Sequence, residues 1–177
     1  MKRIIVGISG ASGVELGLSF IKALPNDIEK YVIISDHAKV VFAKEANTFL
    51  LDDENIGAVT ASGSFKCDAM AIIPCSMNTL AKITHGIADN LLTRTASVMI
   101  KEKRPLLLAP REMPFSSIAL ENMLKLSQLG IHIAPPVLGY YAKASSLEEM
   151  ENFLIGKWFD LLGIEHNLFQ RWEGACE

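Results

Sequence analysis

A glycine-rich segment near the N-terminus contains the first residues that could do chemistry. It runs from residue 7 to 13 as GISGASG and follows a short β-branched run. Glycine lets a chain turn tightly and approach a ligand closely, and a helix that opens at such a turn presents unpaired N–H groups to an anion. Ser12 adds a hydroxyl at the same place. The segment predicts a ligand-binding loop, but not the dinucleotide pattern G-x-G-x-x-G, because Ser9 replaces the middle glycine. The alternative is a tight turn without a ligand.

Two later segments carry polar side chains next to prolines. Ser76 follows an apolar run and is a typical helix N-cap; taken alone, it could be a cap and nothing more. Arg111 and Glu112 lie in a loop that two prolines stiffen, so a cation and a carboxylate are held side by side. As an exposed ion pair they would add little to stability. Their position after a predicted strand favours a role in ligand binding.

A third group of polar residues lies on or beside predicted helices. Arg94 and Lys101 are seven residues apart and share a helix face, where together they could hold a phosphate. Alternatively, the basic residues from Lys101 onward are a solvated helix end. Tyr141 and Lys157 flank the last helix and, taken alone, would be surface residues. The four histidines show no metal-ligand spacing, so we predict no metal site.

The elements that position these residues follow from the apolar pattern. Short buried runs alternate with stretches of helical spacing, which predicts βαβ units in an α/β fold: one doubly wound, mainly parallel sheet with helices on both faces. The residues after each strand then converge on one edge, where open α/β sheets bind ligands. We predict strands over 3–9, 31–34, 69–73, 106–109 and 131–134, and helices over 14–24, 37–50, 78–84, 90–101, 116–129 and 147–162.

Length and composition limit the classes of protein that need consideration. The 177 residues are half hydrophobic, which indicates one domain over 1–177, with the last helix and tail from about 147 covering the site or an interface. No apolar run approaches the ~20 residues of a membrane span. A net charge of −3 without a basic block argues against nucleic acid. The three cysteines form no CxxC pair, so we expect a reduced, cytoplasmic protein. The mean hydropathy of +0.26 favours subunit contacts.

Nine segments, taken in order, carry a resemblance to a known family. They are GISGASG at 7–13, ASGS at 61–64, PCS at 74–76, NLLTR at 90–94, KEKRPL at 101–106, PREMPF at 110–115, LENMLKL at 120–126, PP at 135–136 and GYY at 139–141. This ordered set resembles the UbiX-type flavin prenyltransferases, a branch of the homo-oligomeric flavin-binding proteins that also includes flavin-dependent cysteine decarboxylases. The match extends from Lys2 to about Trp172.

The resemblance implies a specific reaction. Members of this family join a dimethylallyl group, usually from dimethylallyl monophosphate, to N5 and C6 of reduced FMN, and they do so without a metal ion. The product, prenylated FMN, is the cofactor of UbiD-type decarboxylases. The resemblance also implies a homo-oligomer, typically a dodecamer. Whether the product serves ubiquinone biosynthesis or aromatic-acid metabolism is left open.

Site residues follow from the family's motifs, position by position. The resemblance implies that FMN is held by Gly10, Ala11, Ser12, Ser35, Ser76, Met77, Asn78, Thr79 and Arg111. It places around the allylic phosphate the polar residues Glu45, Arg94, Lys101, Glu112, Tyr141 and Lys157. We expect the catalytic groups to be Ser12, Glu45, Lys101 and Glu112, and substrate binding to involve Arg94, Lys101, Tyr141 and Lys157. Fixed cations and hydroxyls stabilise a leaving phosphate. We also expect Glu112 and Ser12 to relay the C6 proton to that phosphate.

The sequence departs from the family at several positions. Many relatives have arginine at Lys157, and an ammonium lacks the two-pronged grip of a guanidinium on phosphate. Some have tryptophan where Ile56 stands, and the role of Trp172 is open. Two other functions stay in view. A cysteine decarboxylase shares the fold, but the segment 74–78 matches it only with a one-residue insertion, and its catalytic histidine has no counterpart. A non-catalytic FMN carrier would not need the residues around the allylic phosphate.

Overall fold

The computed structural model describes residues 1–35 and 46–171, and this part of the chain forms an α/β fold. Its strands are β1 (Arg3–Ile8), β2 (Glu29–Ile34), β3 (Thr48–Asp52), β4 (Ala69–Cys75), β5 (Leu106–Pro110) and β6 (His132–Ile133). Its α-helices are α1 (Val14–Ala23), α2 (Met77–Thr84), α3 (Leu91–Lys101), α4 (Ser117–Gln128) and α5 (Leu147–Leu161).

The strands form one parallel sheet in the order β3-β2-β1-β4-β5-β6. The chain moves outward in one direction from β1 to β3, and in the other direction from β4 to β6. The order therefore reverses between β1 and β4, at the centre of the sheet. In doubly wound folds this switch point opens a crevice at the carboxyl ends of the two strands. The predicted doubly wound sheet is confirmed, and the switch point fixes where a ligand would bind.

The two faces of the sheet bury separate apolar clusters. Alternate residues of β1 point to opposite faces because successive side chains of a strand do so. Ile4, Val6 and Ile8 pack with α1 and α5, including Phe20 and Phe159. The other face packs against α2, α3 and α4, and its cluster includes Ile5, Ile72, Leu92 and Met123. The two cores hold the central strands between two helical layers. The helices cover both faces of the sheet and leave its carboxyl edge open.

Two glycines allow helices to approach the central strands closely. A Cβ at Gly17 of α1 would collide with the carbonyl oxygen of Ile73 in β4, and one at Gly7 of β1 would collide with Leu92 of α3. Backbone cannot yield as a flexible side chain does, so the contact at Gly17 demands glycine. It seats α1 against β4 and thereby fixes the loop between β1 and α1 beside the end of β4.

The structure corrects two of the predicted elements. A helix was expected over 37–50, but Thr48–Asp52 forms the edge strand β3; residues 36–45 lie outside the described part. The third predicted strand was expected to stop at Pro74, yet β4 continues to Cys75. The register between β4 and β5 shifts between Ile72 and Cys75, so the proline sits in an irregular step of the ladder. Proline is tolerated at such steps because no ladder donor is required there.

Two negative observations apply to this part of the chain. No helix within residues 1–35 and 46–171 is long and apolar enough to cross a membrane. The same residues contain no cluster of three or more His, Cys, Asp or Glu side chains that could hold a metal ion. A single domain over 1–177 and a metal-independent reaction stay predictions.

The close approach of α1 to β4 gives a testable stability effect. We expect Gly17→Ala to lower the unfolding free energy by about 1–3 kcal/mol, because overpacking against backbone outweighs the roughly 1 kcal/mol that alanine gains in a helix. Gly57→Ala is the matched control, since its Cβ would meet nothing closer than Asn55 Oδ1 at 3.5 Å. Thermal unfolding at one fixed protein concentration measures both. Equal melting temperatures for the two variants would contradict the prediction.

Candidate active site

The loops that follow β1, β2, β4 and β5 converge on the carboxyl edge of the sheet. A cavity of about 550 Å³ opens there, within the 300–1,000 Å³ range of ligand sites. Five of the predicted FMN-binding residues line it: Gly10, Ser35, Ser76, Asn78 and Thr79. Ala11 and Met77 are sequence neighbours of these lining residues. The structure thus brings together residues that are up to 69 positions apart in the sequence.

Ser9 joins the ends of β1 and β4 at the switch point. Its side chain donates a hydrogen bond to the Pro74 carbonyl at 2.9 Å and accepts one from the Ser76 N–H at 2.8 Å. The Ser9 N–H also donates to the Pro74 carbonyl, at 3.2 Å. Only 1% of Ser9 is exposed. In the sequence Ser9 stands out only as a replacement for a glycine, whereas in the structure it connects the loops that form the cavity.

The helix N-termini at this edge differ in what remains free to bind an anion. At α3, the N–H groups of Leu91 and Leu92 donate to the main chain and the carboxylate of Asp53, and Thr93 N–H donates to Asn90 Oδ1. The start of α3 is therefore filled by protein groups. In contrast, no side chain caps α1, and Gly13 precedes it with a φ of 97° that favours glycine.

The start of α2 is partly filled. Ser76 Oγ accepts a hydrogen bond from Thr79 N–H at 3.2 Å and donates one to Thr79 Oγ1 at 3.0 Å. The cap leaves the N–H groups of Met77 and Asn78 without a partner among the described residues. The first turns of α1 and α2 are thus the donors available to an anionic ligand at the switch point.

Ser35 lies at the end of β2 with a hydroxyl that has no partner. Its N–H is fixed to the Ile8 carbonyl at 2.9 Å, while Ser35 Oγ is buried and is the one side-chain oxygen of this kind in the described residues. A buried hydroxyl without a hydrogen bond costs about 1–3 kcal/mol. Ser35 lines the cavity, so a ligand with polar groups is the available source of a partner for this hydroxyl, and a flavin nucleotide fits that requirement.

A second, smaller cavity of about 220 Å³ lies on the other side of the glycine loop. Ser12 and Arg111 line it together with Gly13, Pro74 and Trp158. Arg111 is held here because its N–H donates to the Cys75 carbonyl at 3.2 Å. Trp158 of α5 is fixed by a 3.0 Å hydrogen bond from Nε1 to the Ala134 carbonyl, and it was not among the predicted site residues.

Two of the predicted phosphate-binding residues are sequence neighbours of residues that line this smaller cavity, and a third, Tyr141, lies five residues after the lining Pro136. Glu112 follows Arg111 and is exposed, and its carboxylate accepts a 3.1 Å hydrogen bond from Met113 N–H. Lys157 precedes Trp158 and is exposed on α5. Tyr141 is 69% exposed in the turn after β6, with its ring edge-on to Phe153 at 5.4 Å. Glu45 falls outside the described residues.

Arg94 and Lys101 are not brought together. Arg94 is exposed in the first half of α3, one residue after the cavity-lining Thr93. Lys101 lies at the other end of this helix, about 10 Å further along. There it pairs with Glu102 at 2.7 Å beside Gly63, on the side of the sheet where the strands begin. Within one subunit, Lys101 therefore faces away from both cavities.

An ion pair and a cysteine at this edge have pKa values that their surroundings shift. Lys82 and Asp89 both line the larger cavity and pair at 2.7 Å, and the ammonium lowers the pKa of the Asp89 carboxyl. Cys75 is fully buried next to Ser76, and burial raises the pKa of its thiol to about 12. Asp53 was not among the predicted site residues, because it follows the strand β3, which was predicted as helix; the run TFLLD at 48–52 was the signal for that strand.

Comparison with known proteins agrees with this geometry. The model of the Flavoprotein family matches residues 1–158. The Flavin prenyltransferase UbiX of Helicobacter pylori is 50% identical over 96% of this chain and 98% of its own length. The crystal structure of AnUbiX in complex with FMN and dimethylallyl pyrophosphate has a TM-score of 0.91 and 37% identity, covering 98% of each chain.

A second solved structure is similar over almost the same extent. The dodecameric FMN-dependent UbiX-like decarboxylase from Escherichia coli has a TM-score of 0.90 and 37% identity, and it covers 97% of this chain and 100% of its own. This chain shares its sheet with these structures, has a cavity at the switch point and is 50% identical to the Helicobacter pylori protein over nearly its full length. The chain belongs to the Flavoprotein family and, within it, to the UbiX-type flavin prenyltransferases.

Proposed function

We propose that this protein is a flavin prenyltransferase that binds reduced FMN at the carboxyl edge of its sheet. It transfers a dimethylallyl group from dimethylallyl monophosphate to N5 and C6 of the flavin and releases phosphate. The observation that carries the proposal is the meeting of three features at one switch point. They are a cavity of nucleotide size, two helix starts with free N–H groups and a buried hydroxyl without a partner.

The larger cavity would hold FMN. Ser35 and the open first turn of α2 offer donors to a phosphate or to ribityl oxygens, and Gly10 lets the backbone come close to the ligand. The open start of α1 borders the smaller cavity beside it. Ser9 keeps these donors at fixed positions before the ligand arrives. Preorganised donors need no rearrangement on binding, so their interaction with the ligand is not offset by that cost.

The smaller cavity would hold the dimethylallyl phosphate. Arg111 and Ser12, which the family's motifs assign to FMN, line it and would place the flavin against this cavity. Lys157 precedes the lining Trp158, and Tyr141 lies in the turn that follows the lining Pro136. Cations and hydroxyls at fixed positions stabilise the negative charge that develops on a leaving phosphate. Reduced FMN supplies the nucleophilic N5 and C6 when it is bound. We assign to Glu112 and Ser12 the transfer of the C6 proton toward the phosphate.

A homo-oligomer, typically a dodecamer, accounts for the exposure of several of these side chains. Lys101 faces away from the cavities of its own subunit and, under this proposal, serves the site of a neighbouring subunit. The Escherichia coli relative is described as dodecameric and FMN-dependent, which supports the same assembly here. The product would pass to a UbiD-type decarboxylase. A cytoplasmic location is part of the proposal and agrees with the unpaired, buried thiols of Cys67 and Cys75.

The central prediction is a gain of mass by the flavin. Purified protein mixed with reduced FMN and dimethylallyl monophosphate, without added metal, should add one C5H8 unit to FMN and release one phosphate. Mass spectrometry of the extracted flavin measures the gain, and a parallel reaction with dimethylallyl pyrophosphate tests the choice of ester. Unchanged flavin with CO₂ released from a cysteinyl peptide would indicate the decarboxylase. Unchanged flavin in both assays would leave a carrier.

Ser35→Ala should separate ligand affinity from stability. Removing an unpartnered buried hydroxyl should raise the unfolding free energy of the FMN-free protein by about 1 kcal/mol, while the lost hydrogen bond should weaken FMN binding about tenfold. Flavin fluorescence titration and thermal unfolding measure the two effects. Ser127→Ala, which removes an exposed hydroxyl on α4, is the control and should change neither. A variant that binds FMN normally would show that Ser35 does not contact the nucleotide.

Glu112→Gln should slow completion of the product. A missing proton acceptor at this position should reduce the rate by about 100-fold, a typical effect of general-base loss. Mass cannot distinguish one new bond from two, because ring closure is an isomerisation. The absorbance spectrum of the product should therefore be followed alongside its mass. Glu121→Gln, which removes an exposed carboxylate paired with Lys125 at 3.0 Å, is the control. Normal formation of both bonds by Glu112→Gln would remove Glu112 from the proton path.

A further inference from the structure

The C-terminal segment 164–171 folds back along α5 and docks in a place built for it. Ile164 is buried in the core that α1 and α5 share, and the Phe169 ring lies over Gly156 in the middle of α5. A Cβ at Gly156 would lie 2.5 Å from Phe169 Cδ1 and 2.7 Å from His166 Cε1. Glycine inside a helix costs about 1 kcal/mol relative to alanine. Glycine is nevertheless required at position 156, because the Phe169 ring occupies the space that a Cβ would fill.

The docked segment occupies both carboxylate oxygens of Asp160 near the end of α5. Arg171 grips them with two hydrogen bonds, from Nη2 to Oδ1 at 2.7 Å and from Nη1 to Oδ2 at 3.2 Å. His166 Nε2 donates to Oδ1 at 3.1 Å, while its Nδ1 accepts from Leu168 N–H at 3.2 Å. These contacts, with Arg171 as the largest contributor, lower the pKa of the Asp160 carboxyl, so it is ionised at neutral pH.

Lys157 lies three residues before Asp160 on the same helix. Side chains three apart are neighbours on a helix surface, so an ionised Asp160 without other partners would attract the Lys157 ammonium. Arg171 forms two charge-assisted hydrogen bonds to this carboxylate and has the geometry that a lysine lacks. Lys157 forms no ion pair within residues 1–35 and 46–171. The two hydrogen bonds from Arg171 therefore occupy the carboxylate of Asp160, which would otherwise pair with the Lys157 ammonium.

The same segment supports a second residue of the proposed phosphate site. Phe169 packs on Phe153 with ring centroids 5.2 Å apart, and Phe153 packs edge-on against Tyr141 at 5.4 Å. Phe153 also fills the space beside Gly139, where a Cβ would lie 2.5 Å from its ring. The turn that carries Tyr141 therefore rests on a side chain that the C-terminal segment holds in place.

We propose that Arg171 is a positioning residue for the prenyl-donor site: by neutralising Asp160 it leaves Lys157 free to bind the phosphate of the dimethylallyl ester. This inference rests on the proposed function and assigns a role to a residue outside both cavities. Arg171 does not touch the substrate. It acts through a carboxylate that would otherwise divert the phosphate-binding cation.

The test uses the full-length protein and the variant Arg171→Met, loaded with FMN for the kinetics and the phosphate titration and free of FMN for the flavin titration. We expect KM for dimethylallyl monophosphate and Kd for inorganic phosphate to rise about threefold to fivefold, the range of an exposed ion pair of up to 1 kcal/mol. The kcat and the Kd for FMN should stay within about twofold of wild type. Steady-state kinetics, calorimetric phosphate titration and flavin fluorescence measure these quantities.

Two further variants distinguish charge competition from simple support of the tail. Adding Asp160→Asn to Arg171→Met should restore phosphate affinity, since the competing charge is gone while an amide oxygen can still accept from His166. Arg171→Lys keeps the charge but not the two-pronged hydrogen bond, so its phosphate affinity should lie between wild type and Arg171→Met. Arg171→Gln, which removes the charge but keeps a hydrogen-bond donor, replaces Arg171→Met if that variant fails to fold. Failure of Asp160→Asn to restore affinity, or unchanged phosphate binding in Arg171→Met, would overturn the proposal. If wild type leaves FMN unprenylated, the proposed function fails, whereas the phosphate titrations still decide the role of Arg171.

Discussion

The hydrogen bonds of Ser9 between the ends of β1 and β4 are the constraint on which the site depends. The two strands belong to opposite halves of the sheet, and only their pairing at the centre brings the glycine loop beside the start of α2. The buried hydroxyl of Ser9 donates to the Pro74 carbonyl near the end of β4 and accepts from the N–H of Ser76, the N-cap of α2. This junction lies between Gly10 and Ser76, which line the larger cavity, and Ser12 and Pro74, which line the smaller one. The absence of a side chain at Gly17 lets α1 reach the same junction.

Much of the fold could be predicted because buried parallel strands leave a strong signal. The runs in β1, β4 and β5 are continuous and apolar, and they are buried on both faces as such runs require. The edge strand β3 was missed because its short apolar run overlaps the helix that was predicted over 37–50, and the exposure of Phe49 and Leu50 at the edge of the sheet is visible only in the structure. Pro74 misled in a different way: a proline usually ends a strand, but the shifted register around it needs no N–H donor.

Site residues could be predicted from the sequence where they directly follow a strand, because that place in the chain fixes where they lie in the fold. Ser76 and Arg111 follow adjacent parallel strands, so both had to lie at the carboxyl edge. The prediction that Arg94 and Lys101 hold a phosphate together was based on a shared helix face. That was a weaker basis, because their separation along the helix axis places them toward opposite ends of α3. Ser9, Asp53 and Trp158 were missed since their roles come from partners far away in sequence. A serine after a strand or a tryptophan on a helix does not reveal such partners.

The burial of Cys75 has a chemical consequence for an enzyme that handles an allylic electrophile. A thiolate is a strong nucleophile, and one beside the reacting carbon would compete with the flavin for the dimethylallyl group. With its thiol pKa raised to about 12, Cys75 stays protonated, and its S–H is directed to the Ser76 carbonyl at 3.7 Å. Cys75 can therefore fill a small buried space beside Ser76 without its sulfur being alkylated by the dimethylallyl group.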